Sequence, residues 1–261
     1  MIYVICKPRD HPFFKDYLDS MQPYLPHEVI PSVDTLSDAH TYLFVLSIPD
    51  VFLSCTNIMY LNTEQLTKPI WRKQVQSYLD KGIRVLDYDL FQSRMLSSPL
   101  HHYLPCVYEP RLTELIKRTV PTYDIAFCSI NSERRARMAH ALAERGVRVM
   151  NIFKWGEERD VLIAQCRMLI NVHYDEQYNI FEHLRCDRWV MAGLHVVSEP
   201  SLSDAMLDLA DRITIVPYDR MVDTIVALLS STPYHTVHHT DLIQARHQTC
   251  LAMAKEVNEK I

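Results

Sequence analysis

Glycine is scarce in this sequence: the 261-residue chain has four, at 82, 146, 156 and 193. Positions so far apart cannot spell a G-x-G-x-x-G dinucleotide turn or a Walker phosphate loop, and no G-x-S-x-G nucleophile elbow occurs. Long apolar runs are missing too, and nothing approaches the roughly 18 to 20 residues that a membrane helix requires. The opening MIYVICKPRDHPFF is strand-like until Lys7, Pro8, Arg9 and Asp10 break it. It lacks a basic n-region and a cleavable apolar core, so no export signal is expected. Paired cysteines are absent as well: Cys6, Cys55, Cys106, Cys128, Cys166, Cys186 and Cys250 are an odd, scattered set with no C-x-x-C. They read as free core thiols in a reducing compartment, and the expected location is cytoplasmic, the host's cytoplasm if the source is viral. Excess positive charge is lacking, since the formal net charge is −5; a globally basic nucleic-acid footprint is excluded and a small-molecule partner favoured. His235, His238 and His239 lack the spacing and acidic partners of a zinc site and read as a polar loop.

What is present is enough apolar material, 48% of residues, for two domains of about 100 to 150 residues with a core each. Short β-rich runs alternate with longer amphipathic stretches, the pattern of β-α units around a parallel sheet. In the first half, strands are expected at residues 1–6, 28–30, 42–48, 57–61 and 83–87, and helices at 13–24 and 71–81, the latter stopped by Gly82. A proline-marked passage, YLPCVYEPRLTELIKRTVPTYD, interrupts the alternation and is read as a linker. The domains are accordingly drawn as 1–118 and 119–261, the second carrying a terminal helix from about Thr240, with a helix that crosses back as the alternative. After the interruption, strands are expected at 123–130, 147–153, 168–172, 194–198 and 213–216, and helices at 132–145, 157–166, 179–191 and 219–229.

The most informative stretch is L-I-N-V-H-Y-D-E-Q-Y-N-I-F-E-H-L-R, residues 169–185. An apolar strand ends, a polar loop follows, and a helix is expected from Asn179. In a parallel sheet that puts the loop at the carboxyl edge, where ligands bind, with helix N-terminal amides available to an anion such as a diphosphate. Asn179 with Glu182 three residues on is also a capping box, so Glu182 has a ligand reading and a capping reading side by side. Arg134 and Arg135 follow a strand end closely enough for one of them to offer a planar fork to phosphate, a solvated helix face being the alternative. Lys154 follows the next strand as a further candidate cation. His173, at a strand end, is either a ligand contact or a structural histidine. Asp87-Tyr88-Asp89 keeps a metal-using alternative open in the first half.

These residues resemble a family. The order of strand, acidic polar loop, F-E at a helix start and then A-G-L-H-V-V-S-E resembles the donor segment of GT-B glycosyltransferases. Y-D-I-A-F-C-S-I-N-S-E-R-R-A-R from Tyr123, W-G-E-E-R-D from Trp155 and N-T-E-Q from Asn62 are similar to the spore-maturation-type group of that family. The resemblance spans roughly residues 57 to 230. It implies two Rossmann-like domains with parallel sheets facing a cleft, and a transferase that moves a sugar from a nucleotide sugar, UDP- or GDP-linked, to an acceptor hydroxyl without metal or other cofactor. Donor contacts would come from Ser129, Arg134, Arg135, Lys154, His173, Tyr174, Asp175, Tyr178, Asn179, Ile180 and Glu182. Glu182 matches the acid that contacts the ribose, whereas Tyr174 stands where the family's first acid is expected, with Asp175 beside it. Ser129 replaces the usual glycine. Asp10 and His11 fall where an inverting enzyme would keep its general base; for Asp10 a helix N-cap is the alternative. The rival readings are a catalytically inactive nucleotide-sugar binder and a transferase that glycosylates a nucleic-acid base, against which the acidic charge argues.

Overall fold

The computed structural model describes residues 1–231 and 239–258; His235 and His238 lie outside the described residues. The chain divides into two compact units, Met1–Val107 together with the residues from Gln244 onward, and Tyr108–Ile243.

The first unit runs β1 (Ile2–Ile5), α1 (His11–Met21), β2 (His27–Ile30), β3 (Thr41–Val45), β4 (Ile58–Asn62), α2 (Pro69–Asp80), β5 (Arg84–Asp87), α3 (Leu90–Met95) and β6 (His101–Tyr103). Its strands form one parallel sheet in the order β2-β1-β3-β4-β5-β6. Every residue of β3 and β4 is buried, as expected of central strands covered on both faces. Helix α2 stops at Gly82, whose φ of +78° a side chain would resist.

The second unit runs α4 (Pro110–Arg118), β7 (Tyr123–Cys128), α5 (Glu133–Glu144), β8 (Val149–Ile152), α6 (Gly156–Ala164), β9 (Cys166–Asn171), α7 (His183–Ala192), β10 (His195–Ser198), β11 (Thr214–Ile215) and α8 (Met221–Ser231). Its strands are again parallel, in the order β11-β10-β9-β7-β8. Helix α9 (Thr240–Asn258) follows. Both units are thus α/β with Rossmann-like parallel sheets. In each sheet the unit's first strand lies between its second and third, so the chain reverses direction there and the loops leaving the first and third strands diverge. That is the topological switch point at which open α/β sheets bind ligands.

Two expectations need correction. The passage read as a linker holds α4, whose Leu112 and Ile116 are buried in the core of the second unit with Ala126, Trp189 and Val190. Its Pro110 stands in the first turn, where a missing N–H costs nothing, so the proline starts a helix instead of marking a loop. The units accordingly divide at 107/108, and the terminal helix from Gln244 groups with the first unit. There Arg246 is buried and donates to the Cys106 carbonyl at 3.0 Å. All seven cysteines are free, six of them buried.

Candidate functional site

At the switch point of the second unit, β7 hands over to α5 through Ser129–Ser132. The Ser132 side chain caps α5, accepting the Arg135 N–H at 3.3 Å. Capping turns the first turn of α5 toward the end of β9, and a shallow recess of about 360 Å³ opens there, lined by Arg134 and Arg137 and by the acids Glu133, Asp175 and Glu176, with Ser132 and Tyr174. Arg134, Arg135, His173, Tyr174 and Asp175 are therefore brought together by the loops that leave β7 and β9.

The two arginines differ in their partners. Arg134 is ion-paired to the buried Glu199, at the end of β10, and its guanidinium lies 3.9 Å from the centre of the Tyr218 ring. The Tyr218 hydroxyl donates to the Arg134 carbonyl at 2.8 Å. Arg135 is buried, and its guanidinium donates to the carbonyls of Val172 and Ile130, both at 2.7 Å. Among the described residues no carboxylate is hydrogen-bonded to it. Desolvation pulls its pKa down to about 10, and Arg185 pushes the same way, while Glu182, Glu199 and Tyr174 act in the opposite sense. Three arginines thus meet two glutamates at this edge, and the most buried of the three is the one with only neutral acceptors.

The remaining positions are distributed as follows. His173 donates its backbone N–H to Glu199 at 2.9 Å, and its ring Nε2 is 3.0 Å from the Pro200 carbonyl, leaving the buried Nδ1 without a partner among the described residues. Tyr174 is exposed, with Arg135 5.6 Å from its ring centre and Tyr178 edge-on at 5.8 Å. Asp175 closes a turn by accepting the N–H groups of Gln177 and Tyr178. Ser129 is half-buried just after β7. Lys154, after β8, is ion-paired to Glu158 at 3.0 Å on the surface of α6. On either side of it Phe153 and Trp155 are exposed at the same edge, a feature that sequence reasoning passed over. Tyr218 was passed over too, and no sequence signal marks it.

The capping box is not formed. Helix α7 starts at His183, so Glu182 itself occupies the N-cap position, without a side-chain cap bond, 3.7 Å from Arg185. Asn179 precedes the helix and presents its carbonyl to the Leu202 N–H. Ile180 and Phe181, completely buried, fill the space where a longer helix would begin, so Ile180 belongs to the core and not to the edge.

In the first unit, Asp10 occupies the N-cap position of α1 without capping it, 3.6 Å from Arg9, and His11 opens the helix. Asp10 borders a cavity of about 390 Å³ at the carboxyl ends of β1 and β3, the switch point of this sheet. Leu46, leaving β3, has φ +70°, a conformation that costs a non-glycine residue about 1 kcal/mol or more. Its carbonyl receives the Tyr60 hydroxyl at 3.1 Å and the Gln74 amide at 2.8 Å, which hold the turn. Asp87-Tyr88-Asp89, the metal alternative, is a buried knot instead. Asp87 accepts from Asn62, His101, Gln92 and the Asp89 N–H, and Asp89 caps α3. Asn62 and Glu64 of N-T-E-Q close the adjoining turn.

The chain is 35% identical to the uncharacterized protein L140 of Acanthamoeba polyphaga mimivirus over 98% of its own length and 89% of that protein's. It is 31% identical to the uncharacterized protein L138 of the same virus over 93% of its length, and spans 30% of that longer protein. With the uncharacterized protein R358 of that virus it shares 27% identity over 71% of its length. No protein-family profile matches it.

Proposed function

We propose, from the premise that the chain belongs to the family of mimivirus protein L140, that it binds a nucleotide sugar at the β7/β9 switch point and transfers the sugar to an acceptor hydroxyl. The two Rossmann-like units would be the acceptor and donor halves of a GT-B-type enzyme. The observation that carries the reading is Arg135: a buried guanidinium with carbonyl partners and no carboxylate, beside the capped first turn of a twelve-residue helix. A buried guanidinium hydrogen-bonded only to carbonyls is costly, and a diphosphate at the start of α5 would add negative charge near it while meeting the amides of the first turn. This moves the expected diphosphate position from the start of α7 to the start of α5. Glu182 remains the candidate for the ribose hydroxyls, Phe153 and Trp155 offer flat faces to a base, and Asp10 is the candidate base toward the acceptor.

The engagement of Arg134 with Glu199 and Tyr218 favours a second reading, a nucleotide-sugar binder that does not transfer. One experiment separates the three outcomes. Melting curves and donor hydrolysis are followed with uridine, guanosine and thymidine diphosphate sugars, in EDTA and in magnesium. A ligand at 100 times its dissociation constant adds about 2.7 kcal/mol of stability. Stabilisation in EDTA with slow hydrolysis supports transfer, stabilisation without turnover supports the binder, and no shift with any of them refutes both.

A further inference from the structure

The cavity of the first unit has the composition of a ligand site and belongs to no part of the nucleotide argument. It lies where the loops after β1 and β3 diverge, at the carboxyl edge. At about 390 Å³ it falls within the range of small-molecule pockets. A cavity of equal volume at the opposite, amino-terminal edge is lined by Asp38, His40, Asn57 and Arg84 among others, and no switch point lies there.

The walls and the rim differ in kind. Phe44, Phe52 and Trp71 supply aromatic faces, and the first two lie 5.8 Å apart at a 33° tilt. Around the rim stand Lys7 and Arg9, both exposed, and the one carboxylate there, Asp10, lies 3.6 Å from Arg9 and leaves Lys7 as the excess cation. On a chain whose net charge is −5 this local excess of positive charge is against the trend. The floor is fixed as well: Leu46 is held in its left-handed conformation by Tyr60 and Gln74, and the Ile48 N–H reaches the Tyr78 hydroxyl at 3.1 Å, with Gln74 bonded to the same hydroxyl at 3.0 Å. A strained turn braced by three side chains at a cavity wall keeps its shape without a ligand, which is what a preformed pocket requires.

We infer that this pocket binds a small planar aromatic anion, its ring against Phe44, Phe52 and Trp71 and its charged group at Lys7 and Arg9. Flat rings recover contact area against aromatic walls with little loss of conformational entropy, and the anion is drawn to the two-cation rim. The inference deepens the acceptor side of the proposed reaction and rests on that reading only in calling the ligand an acceptor. The binding itself rests on the first unit alone.

The test uses the full chain and 4-nitrobenzoate as probe, with neutral 4-nitrobenzyl alcohol and the non-planar anion cyclohexanecarboxylate as comparators, by calorimetry at low salt. Nitroaromatics quench tryptophan on contact, so emission is followed in the parent chain and in Trp71→Phe, and the difference between the two reports Trp71. Saturable binding of 4-nitrobenzoate, at least tenfold tighter than either comparator, is expected. Lys7→Glu with Arg9→Glu, both on the exposed rim, should remove the preference for the anion and leave the alcohol unchanged. Trp71→Ala should weaken both nitroaromatics at an unchanged melting temperature; should that variant melt lower, Trp71→Leu replaces it. No saturable binding, no preference for the planar anion, or binding that ignores the rim reversal and Trp71 overturns the inference. The sugar-nucleotide melting curves run on the same variants stay as in the parent chain, so failure of one site is distinguishable from failure of the other.

Discussion

Arg135 and Glu182 show how far residue type and spacing carry, and where tertiary structure takes over. That one of two adjacent arginines turns inward after a strand end is legible in the sequence, because helix geometry sends neighbours to different faces. Which one, and that it meets carbonyls and not a carboxylate, depends on the β9 and β7 loops and is not. Glu182 looked like the third residue of a helix because N-I-F-E satisfies the capping spacing. Burial of Ile180 and Phe181 outweighs one capping bond: two fully buried large side chains are worth roughly 3 to 6 kcal/mol, a cap about 1 kcal/mol. Glu182→Gln should leave the melting temperature of the free protein within the shift expected for about 0.5 kcal/mol, because no cap bond is lost, and should weaken nucleoside-diphosphate binding at least tenfold in calorimetry. A lower melting temperature with unchanged affinity would return Glu182 to a structural role. Arg135→Lys keeps the charge but cannot serve both Val172 and Ile130 from one planar fork, so stability should fall by about 1 to 3 kcal/mol in denaturant titration.

At the scale of elements, the alternation of β-rich runs and amphipathic stretches located the central strands of both sheets, and glycines 82, 146 and 193 marked the helix ends, each with positive φ. The elements missed are short or begin with proline. Leu90–Met95 and His101–Tyr103 are six and three residues long, too short for a periodicity to register. Helix α4 was hidden by Pro110, which as punctuation reads the same whether it ends one element or opens the next. Leu112, with no exposed surface, separates the two descriptions. In a linker Leu112→Ala would change little, whereas in the core helix seen here it should cost about 2 to 5 kcal/mol, measured as the loss of unfolding free energy. The turn after β3 gives the complementary case. Leu46→Ile places a β-branched residue at φ +70° and should destabilise the first unit by about 1 to 2 kcal/mol, while Leu46→Asn, which tolerates that conformation, should cost less. Reversal of that order in thermal melts would show that the side-chain contacts of Leu46, and not its backbone, govern the position.

For the whole molecule, Asp160 and Asp124 of the second unit and Asp87 of the first sit in opposite electrostatic settings. In the second unit, Asp160 is buried, which by itself would raise its pKa, yet Arg188, Arg159 and Arg111 around it hold the carboxyl below its ordinary value. Asp124 is lowered chiefly by its hydrogen bonds to Arg148. In the first unit, Asp87 is raised, because burial outweighs the bonds from His101 and Asn62. The signs then differ. A carboxylate lowered in the fold contributes stability above its unfolded pKa and loses that contribution as pH falls through the folded value. A raised one contributes most below the unfolded pKa and loses it as pH rises through the folded value. Below about pH 4, where free carboxylates begin to protonate, the second unit is therefore weakened by Asp160 and Asp124 while Asp87 works in favour of the first. Tryptophans report the units separately, Trp71 in the first and the fully buried Trp189 in the second. With Trp155→Phe as background, acid titration of Trp71→Phe and Trp189→Phe variants should show the Trp189 signal changing at higher pH than the Trp71 signal. Salt should move the Trp189 transition less than it would for exposed pairs, since buried ion pairs are poorly screened. Coincident transitions, or loss of the Trp71 signal first, would mean that the arginine cluster around Asp160 does not set the acid limit of its unit.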